Sequence, residues 1–497
     1  MAVAITVSWR IFSLDVLSDD PYSFAVHTEA FLFSIVRIFH GGTCLVDVVS
    51  QYGCYGEILS LLLKPFGLTI LGLTIILAIA QIAALLSILV FCDGLIRNPL
   101  ILVACCLSVF LALNRTSYGV ADPYFQYTPL RLFFPALSLV AVMSWQARQG
   151  LGRAVLIGAF AAVGVVTNLD SGVFVVGALA ILLLFHKPSG ETWKRPLLYA
   201  SAFLVSTGVV LTVIMLALSA KGHRWVDLGS FVQYQWVVLQ SGRLMLPMPA
   251  PPHVWLVGVA CAAVTLTMYG LAFANGTLTP RVERAAYLAV LGAGAFSYYV
   301  GRSDIYVLLL AGWPFLVLVF FLLDMQVTGA RGQAALAFGS RAVAAVIVLL
   351  FALSFVRTWD YTGAATRFRW QRIMYPLSSM LVEDAEYVRA VTKPGEGIAV
   401  IALYQASIMA EADRPIGMVG PGLWEIWQKA DLDRLADYLL RQGPTHIFVD
   451  EKFVLTGTVW AQVQRWLPAA LTHFRPAYQI EGTGPGGRLT HLVRAER

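Results

Sequence analysis

The sequence predicts a polytopic α-helical membrane protein of about 10–11 spans, followed by a small C-terminal α/β domain on the extracytoplasmic side. Three observations predict it. Apolar residues make up 58% of the 497 and charged ones 13%, about half the quarter usual in soluble domains. Mean hydropathy is +0.72. Up to about residue 357 the apolar residues gather into runs near the ~20 residues that a span needs; beyond it charges become frequent and the runs stop. This profile excludes a soluble globular chain and a disordered one, and it makes the lipid bilayer, not nucleic acid, the first partner. Two regions follow, 1–357 in the membrane and 358–497 outside it.

Met1 to Leu14 is apolar but half a span long and holds Arg10, so it reads as a shortened first helix; it lacks the start and cleavage site of a signal peptide. Residues 22–66 read as a first outer loop with interfacial helices. If 24–39 is helical, Glu29, Phe33 and Arg37 share one face at i, i+4 and i+8, with Phe24, Phe31 and Ile35 opposite, which suits a helix lying in the interface. A stretch near 226–240 reads the same way. The runs at 68–92, 98–114, 129–146, 152–168, 171–186, 196–219, 253–275, 284–300, 305–324 and 340–357 read as spans. The pair around Asn168 is either two spans joined by a tight turn or one long broken hairpin.

One set of alternate loops carries Arg97, then Arg148 and Arg153, then Lys187, Lys194 and Arg195, then Arg281 and Arg284, then Arg331 and Arg341. These loops are short and basic, so the positive-inside rule assigns them to the cytoplasm. The tail is then extracytoplasmic, in a multi-pass protein of the plasma (inner) membrane. In the tail, Val382 to Val391 and Asp431 to Arg441 read as helices, and Ile398 to Leu403 and Thr445 to Asp450 as strands. The tail carries neither a GxGxxG after a strand nor a P-loop. Among the six cysteines there is no CxxC pair; Cys44 and Cys54 share one polar segment and can pair in an oxidising space.

The carboxylates are unevenly placed. Inner loops hold Asp93, Glu191, Glu283 and Asp324; the outer side holds Asp15, Asp19, Asp20, Glu29, Asp47, Glu57, Asp122, Asp170, Asp227 and Asp304. Acids near hydrocarbon are costly unless paired or facing a wet cavity. Four outer clusters stand out: His27-Thr28-Glu29 with Asp47 and Ser50-Gln51-Tyr52-Gly53; Arg115 with Asp122, Tyr124, Gln126 and Arg131; Asn168-Leu169-Asp170-Ser171-Gly172; and Tyr298 with Gly301-Arg302-Ser303-Asp304. All fall at outer ends of expected spans, as a cavity lined by both signs of charge requires. Each residue also has a plain structural reading. Glu29 and Arg37 can pair along a helix, Asp47 can cap a turn and Asp170 a span. Arg131 can snorkel from a span end, and the tyrosines can be belt aromatics.

Glu29-Ala30-Phe31 with Gly41-Gly42, the stretch Leu45-Val46-Asp47 to Tyr52-Gly53, the Asn168–Gly172 turn and the Gly301–Asp304 corner resemble the GT-C superfamily, polytopic glycosyltransferases that use lipid-phosphate sugar donors. The resemblance covers most of 20–325 and, loosely, the tail. It departs where the first span is nearly absent and where Glu29 follows Thr28 instead of standing as an Asp beside a second acid. It implies an inverting glycosyltransferase acting on the extracytoplasmic face, taking a sugar from a polyprenyl-phosphate donor to a glycan, lipid or protein hydroxyl. Glu29 is then the expected base and Asp47 a second acid for the acceptor or for a divalent metal, Mg or Mn. A carboxylate whose pKa is shifted by burial can take the acceptor proton. Arg302, then Arg115 and Arg131, are expected to hold the donor phosphate through charge-assisted bonds. His27, Gln51, Tyr52, Asp122, Tyr124, Gln126, Asp170, Tyr298 and Asp304 are expected to line the substrate. The rivals are a flippase of lipid-linked sugars, which often shows internal repeats and midplane charges, and a non-catalytic envelope-polysaccharide assembly factor. No internal repeat is visible, and the charges gather at the outer edge.

Overall fold

The computed structural model describes residues 21–50, 52–114, 128–186, 192–240, 248–301, 303, 305–329, 342–343, 345–346, 379–426, 428–456 and 461–495. The segment before the bundle forms α1 (Pro21–Phe39) and α2 (Tyr55–Leu63). The bundle follows as α3 (Ile70–Asp93), α4 (Pro99–Asn114), α5 (Thr128–Ala147), α6 (Leu151–Thr167), α7 (Leu169–Phe185) and α8 (Lys194–Lys221). Next come the short α9 (Leu228–Gln240), then α10 (Trp255–Ala274), α11 (Pro280–Gly301), α12 (Ile305–Ala311) and α13 (Trp313–Gly329).

Nine of the ten expected spans correspond to these helices, and the run at 340–357 lies almost wholly outside the described residues. Among the described residues, four helices are long and apolar enough to cross a membrane: Ile75–Asp93, Pro129–Ala147, Lys194–Lys221 and Trp255–Ala274. Shorter apolar helices stand beside them. In the apolar windows of α8 and α10, 22% and 11% of residues are buried, so the outer faces of these two helices are left for lipid. The pair around Asn168 is two helices with a tight turn: the Asn168 side chain caps α7 by accepting from the Ser171 amide. The 305–324 run, read as one span, is two helices. Gly312 interrupts it, and Pro314 withdraws an amide from the first turn of α13.

Small residues set the helix spacing, as in membrane bundles generally. A Cβ on Gly158 of α6 would come within 2.4 Å of the Phe203 carbonyl on α8. One on Gly172 would come equally close, 2.4 Å, to Val165 of α6. The helix ends sort as expected. At one end the buried Asp324 accepts from the Arg97 and Asn98 amides at 3.0 and 2.8 Å and pairs with Arg281. Beside it, Glu283 meets His186 at 2.5 Å and Gln146 at 3.0 Å. At the other end stand Tyr52, Arg131, Asp170 and Tyr298, with the tail domain.

The tail comprises α14 (Ser379–Val391), β1 (Ala399–Ile401), α15 (Gln405–Ala412), α16 (Lys429–Gln442), β2 (His446–Val449), α17 (Glu451–Thr456), α18 (Ala461–Phe474), β3 (Tyr478–Thr483) and β4 (Thr490–Arg494). Its sheet runs β1-β2-β4-β3, parallel between β1 and β2 and antiparallel elsewhere. The expected helix–strand alternation is therefore present, completed by a β3–β4 hairpin that the sequence analysis did not include.

Helix α1 is amphipathic with the expected faces, but it does not lie open in the interface. From Thr28 to Val36 every residue is buried. Its Glu29–Phe33–Arg37 stripe meets the tail, where Phe33 packs on Gly422 and Arg37 donates to the carbonyls of Ile416 and Met418 at 2.7 and 2.5 Å. The opposite face meets α2, with Phe31 stacked on Tyr55 at 4.7 Å. One apolar core thus runs from α1 and α2 through the whole tail, and a second fills the bundle. Physically, 21–66 packs with the tail as much as with the spans, and the division at 357 falls among residues outside the described set. Cys44 and Cys54 are disulfide-bonded. Denatured without reductant, the protein should expose four reactive thiols, Cys92, Cys105, Cys106 and Cys261. Reduction should release the two of the bridge; a full set before reduction would refute the bridge.

Candidate functional site

The turn Ser50 to Cys54 docks against the α6–α7 turn. The Cys54 amide donates to the Val166 carbonyl at 2.8 Å, and Asn168 Nδ2 donates to the Tyr52 carbonyl at 3.0 Å. Gly53 has φ +103°, and a Cβ there would lie 2.9 Å from the Thr167 carbonyl. Glycine is required here twice over, for the left-handed backbone and for the close approach. Two clusters that are more than a hundred residues apart in the chain are thereby one structure.

This contact places the Tyr52 ring beside Arg131, at the first turn of α5. The guanidinium carbon lies 5.4 Å from the Tyr52 ring centre and 4.4 Å from that of Tyr298. Arg131 Nη1 donates to the Tyr298 hydroxyl at 2.7 Å, and Nη2 stands 3.8 Å from Asp170. These four residues, all expected from the sequence, meet at one end of the bundle, where α5 and α7 begin and α11 closes. Below them opens a cavity of about 50 Å³, walled by Phe174, Leu291, Trp313 and Pro135, with Arg131 and Asp170 at its polar end. An apolar chamber closed by one cation suits a ligand with an anionic head and a hydrocarbon tail.

Asp47 is half-buried and is not among the residues that line this cavity. It accepts from the Thr43 amide at 2.9 Å and pairs with Arg224 at 2.9 Å. Glu57 beside it accepts from the Cys44 amide at 2.9 Å and from Lys221 at 2.7 Å. His27 belongs to α1, and its side chain lies outside the described set. Gln51, Arg115, Asp122, Tyr124, Gln126, Arg302 and Asp304 lie outside the described residues as well.

Glu29 does not reach the cavity residues; it points into the tail. Its carboxylate, 1% exposed, accepts from the Ala406 and Ser407 amides and the Ser407 hydroxyl at the N-terminus of α15. Here a carboxylate caps a helix from another part of the chain. Burial raises the Glu29 pKa to about 7 against the pull of these hydrogen bonds. That value would suit a base, but the geometry encloses both oxygens. Sequence reasoning missed the tail partners Ala406 and Ser407, and it missed Glu425, which accepts from Ser50 Oγ at 2.9 Å. No local pattern marks any of the three. Among the described residues no group of three or more His, Cys, Asp or Glu is placed to hold a metal ion.

Compared with solved structures, the chain aligns with ArnT from Cupriavidus metallidurans, a structure bound to undecaprenyl phosphate. The TM-score is 0.51 and the identity 13%, over 99% of this chain and 97% of that one. It also aligns with an Archaeoglobus fulgidus oligosaccharyltransferase in complex with Zn and sulfate, at TM-score 0.46 and 12% identity over 99% of this chain and 72% of that one. No protein-family model matches, and no curated protein does. At such identities the ArnT likeness is one of fold, and it spans nearly both chains. The chain is a multi-pass helical membrane protein that shares its overall fold with ArnT and carries a small C-terminal sheet domain.

The Glu29 contact has a pH dependence. Its carboxyl titrates near 4.5 when free and about 7 when enclosed. Between those values the undocked chain has lost the proton and the docked chain keeps it, so docking weakens as pH rises through that window and levels off above about 7. Protease resistance of the tail in detergent should fall across that range and become flat in Glu29→Gln. Glu29→Ala strands two buried amides and should cost about 1–3 kcal/mol per unpaired group in thermal unfolding; an unchanged melting temperature would remove the capping role.

Proposed function

We propose that this chain is a membrane glycosyltransferase that moves a sugar from a polyprenyl-phosphate carrier to an acceptor hydroxyl on the extracytoplasmic side. The observation that carries the reading is the position of Arg131, held by Tyr52, Tyr298 and Asp170 at the polar end of an apolar cavity. The cavity takes isoprenoid hydrocarbon, and the guanidinium takes the phosphate. In the reaction the acceptor oxygen attacks the anomeric carbon, the bond from that carbon to the phosphate oxygen breaks, and the configuration inverts. The phosphate leaves as an anion, stabilised by Arg131. The acceptor proton passes to a carboxylate.

Asp170 is the first choice for that carboxylate, because it lines the cavity beside Arg131. Asp47 follows, as a half-buried carboxylate of the same segment that carries Tyr52. Glu29, the choice from sequence, is assigned to holding the tail. Arg302 and Arg115 remain proposed as further phosphate contacts from their place in the sequence, with His27, Gln51, Asp122, Tyr124, Gln126 and Asp304 as substrate contacts. No step is routed through a metal.

The Cys44–Cys54 bridge stands on the end that carries the tail, and the basic loops stand on the other. Both support a plasma-membrane protein with an extracytoplasmic tail. The helices lining the cavity are tied at the inner end by Asp324–Arg281 and Glu283–His186, which favours a one-sided site over a flippase pathway.

In proteoliposomes carrying a labelled polyprenyl-phosphate sugar, Arg131→Ala should lower kcat/KM by about 10²–10³, as for loss of a group that stabilises developing charge, while Arg131→Lys should retain part of the activity. Asp170→Asn should abolish transfer with the protein still monodisperse; wild-type-like turnover would pass the base role to Asp47, tested by Asp47→Asn. A wild-type protein that neither binds a polyprenyl phosphate nor transfers from one would overturn the reading.

A further inference from the structure

We infer that Glu425 of the tail domain is a positioning residue for the phosphate-binding end of the cavity, acting through Ser50 and Tyr52. The inference rests on the donor site proposed above and adds a residue from a different part of the fold. Glu425 lies in a single 3-10 turn, Leu423–Glu425, and is fully buried, although carboxylates are seldom buried without a task. Its Oε1 accepts from the Ser50 hydroxyl at 2.9 Å. With its proton directed there, the Ser50 oxygen accepts from the Tyr52 amide at 3.3 Å. The Tyr52 carbonyl is held from the other side by Asn168, whose Oδ1 also accepts from the amide and hydroxyl of Ser171 at 3.1 and 2.8 Å.

Tyr52 is therefore fixed at both peptide groups, by the tail through Ser50 and by the start of α7 through Asn168. Its ring is one of the two that flank Arg131. The relay is short: hydrogen bonds between the buried Glu425, Ser50 and Tyr52, then a ring contact to the half-buried Arg131. Deleting the carboxylate's charge weakens the bond that orients Ser50, which frees the Tyr52 amide and lets its ring move off Arg131. The tail then bears on donor binding without touching donor, and the acceptor side of the reaction is left alone.

The test uses the full-length protein in nanodiscs, with Glu425→Gln and Ser50→Ala and a polyprenyl monophosphate as the binding probe. Each variant should weaken probe binding and raise donor KM by about tenfold, equivalent to ~1.4 kcal/mol. Acceptor KM should stay within about twofold, and tail protease resistance should be unchanged. The double variant should be no worse than the worse single one, because both cut the same relay. A rise of donor and acceptor KM together with a loosened tail would make Glu425 merely structural and overturn the inference; so would additive effects. One readout is independent of any donor: 3-fluorotyrosine at position 52 should shift its fluorine resonance in Glu425→Gln. An unmoved resonance overturns the relay even if the donor reading stands. Absence of probe binding in the wild type with a shifted resonance would instead overturn the donor reading and leave the relay intact.

Discussion

Burying the Glu29 carboxylate and the Arg37 guanidinium on one stripe of α1 is the constraint from which the tail-bearing half of the molecule follows. Two charges taken out of water must each find several partners, or the cost is prohibitive. Helix α1 cannot supply them, because its own amides and carbonyls are used by the helix. The tail does: the open amides at the start of α15 receive Glu29, and the carbonyls of Ile416 and Met418 receive Arg37. Phe33, between the two on the same stripe, packs against Gly422, where a Cβ would lie within 2.7 Å. The tail is therefore seated on the segment before the bundle with a defined register, and the glycine that admits Phe33 stands three residues before Glu425.

A second close fit carries that register into the bundle. Gly53 admits the Thr167 carbonyl and Gly172 admits Val165, so the segment before the bundle, α6 and α7 meet without side chains between their backbones. Tyr52 and Asp170 project from the two sides of this contact toward Arg131. The result is a cation held by aromatic faces and one carboxylate at the end of an apolar chamber. Such a guanidinium is already oriented before any ligand arrives, which is where binding energy would otherwise be lost. At the opposite end, Asp324 and Glu283 bind the loop amides, Arg281 and His186. The bundle is tied by ion pairs at one end and carries the Arg131 cluster at the other.

Much of this was legible locally. Hydropathy located the helices because a span must satisfy its backbone internally and bury a continuous apolar surface. Sorting the charges by alternate loops grouped Tyr52, Arg131, Asp170 and Tyr298 on one side before any contact was known. The i, i+4, i+8 spacing of Glu29, Phe33 and Arg37 correctly marked one face of α1. What that face touches was not legible, since a polar stripe looks the same whether it meets headgroups or another domain. Glu29 is the base that the resemblance implies, because it stands where GT-C glycosyltransferases carry an acid. Its enclosure by Ala406 and Ser407, 377 and 378 residues away, left no trace in the sequence around it. The break at Gly312 was missed for a simpler reason: the run from 305 to 324 stays apolar across it, and hydropathy does not register where one helix ends and the next begins.

The sequence by itself determined the class of molecule: a membrane bundle with an α/β tail, basic loops at one end and acids with Arg and Tyr at the other. These are properties of composition and period, which a bilayer reads along a single helix. The tertiary structure decided which acid faces a cavity and which one caps a helix. It also decided that 21–66 shares a core with the tail, and that Glu425 stands behind Tyr52. Those outcomes depend on packing and hydrogen bonds between segments hundreds of residues apart, where the energy of a carboxylate is set by the partners that enclose it and not by its neighbours in the chain.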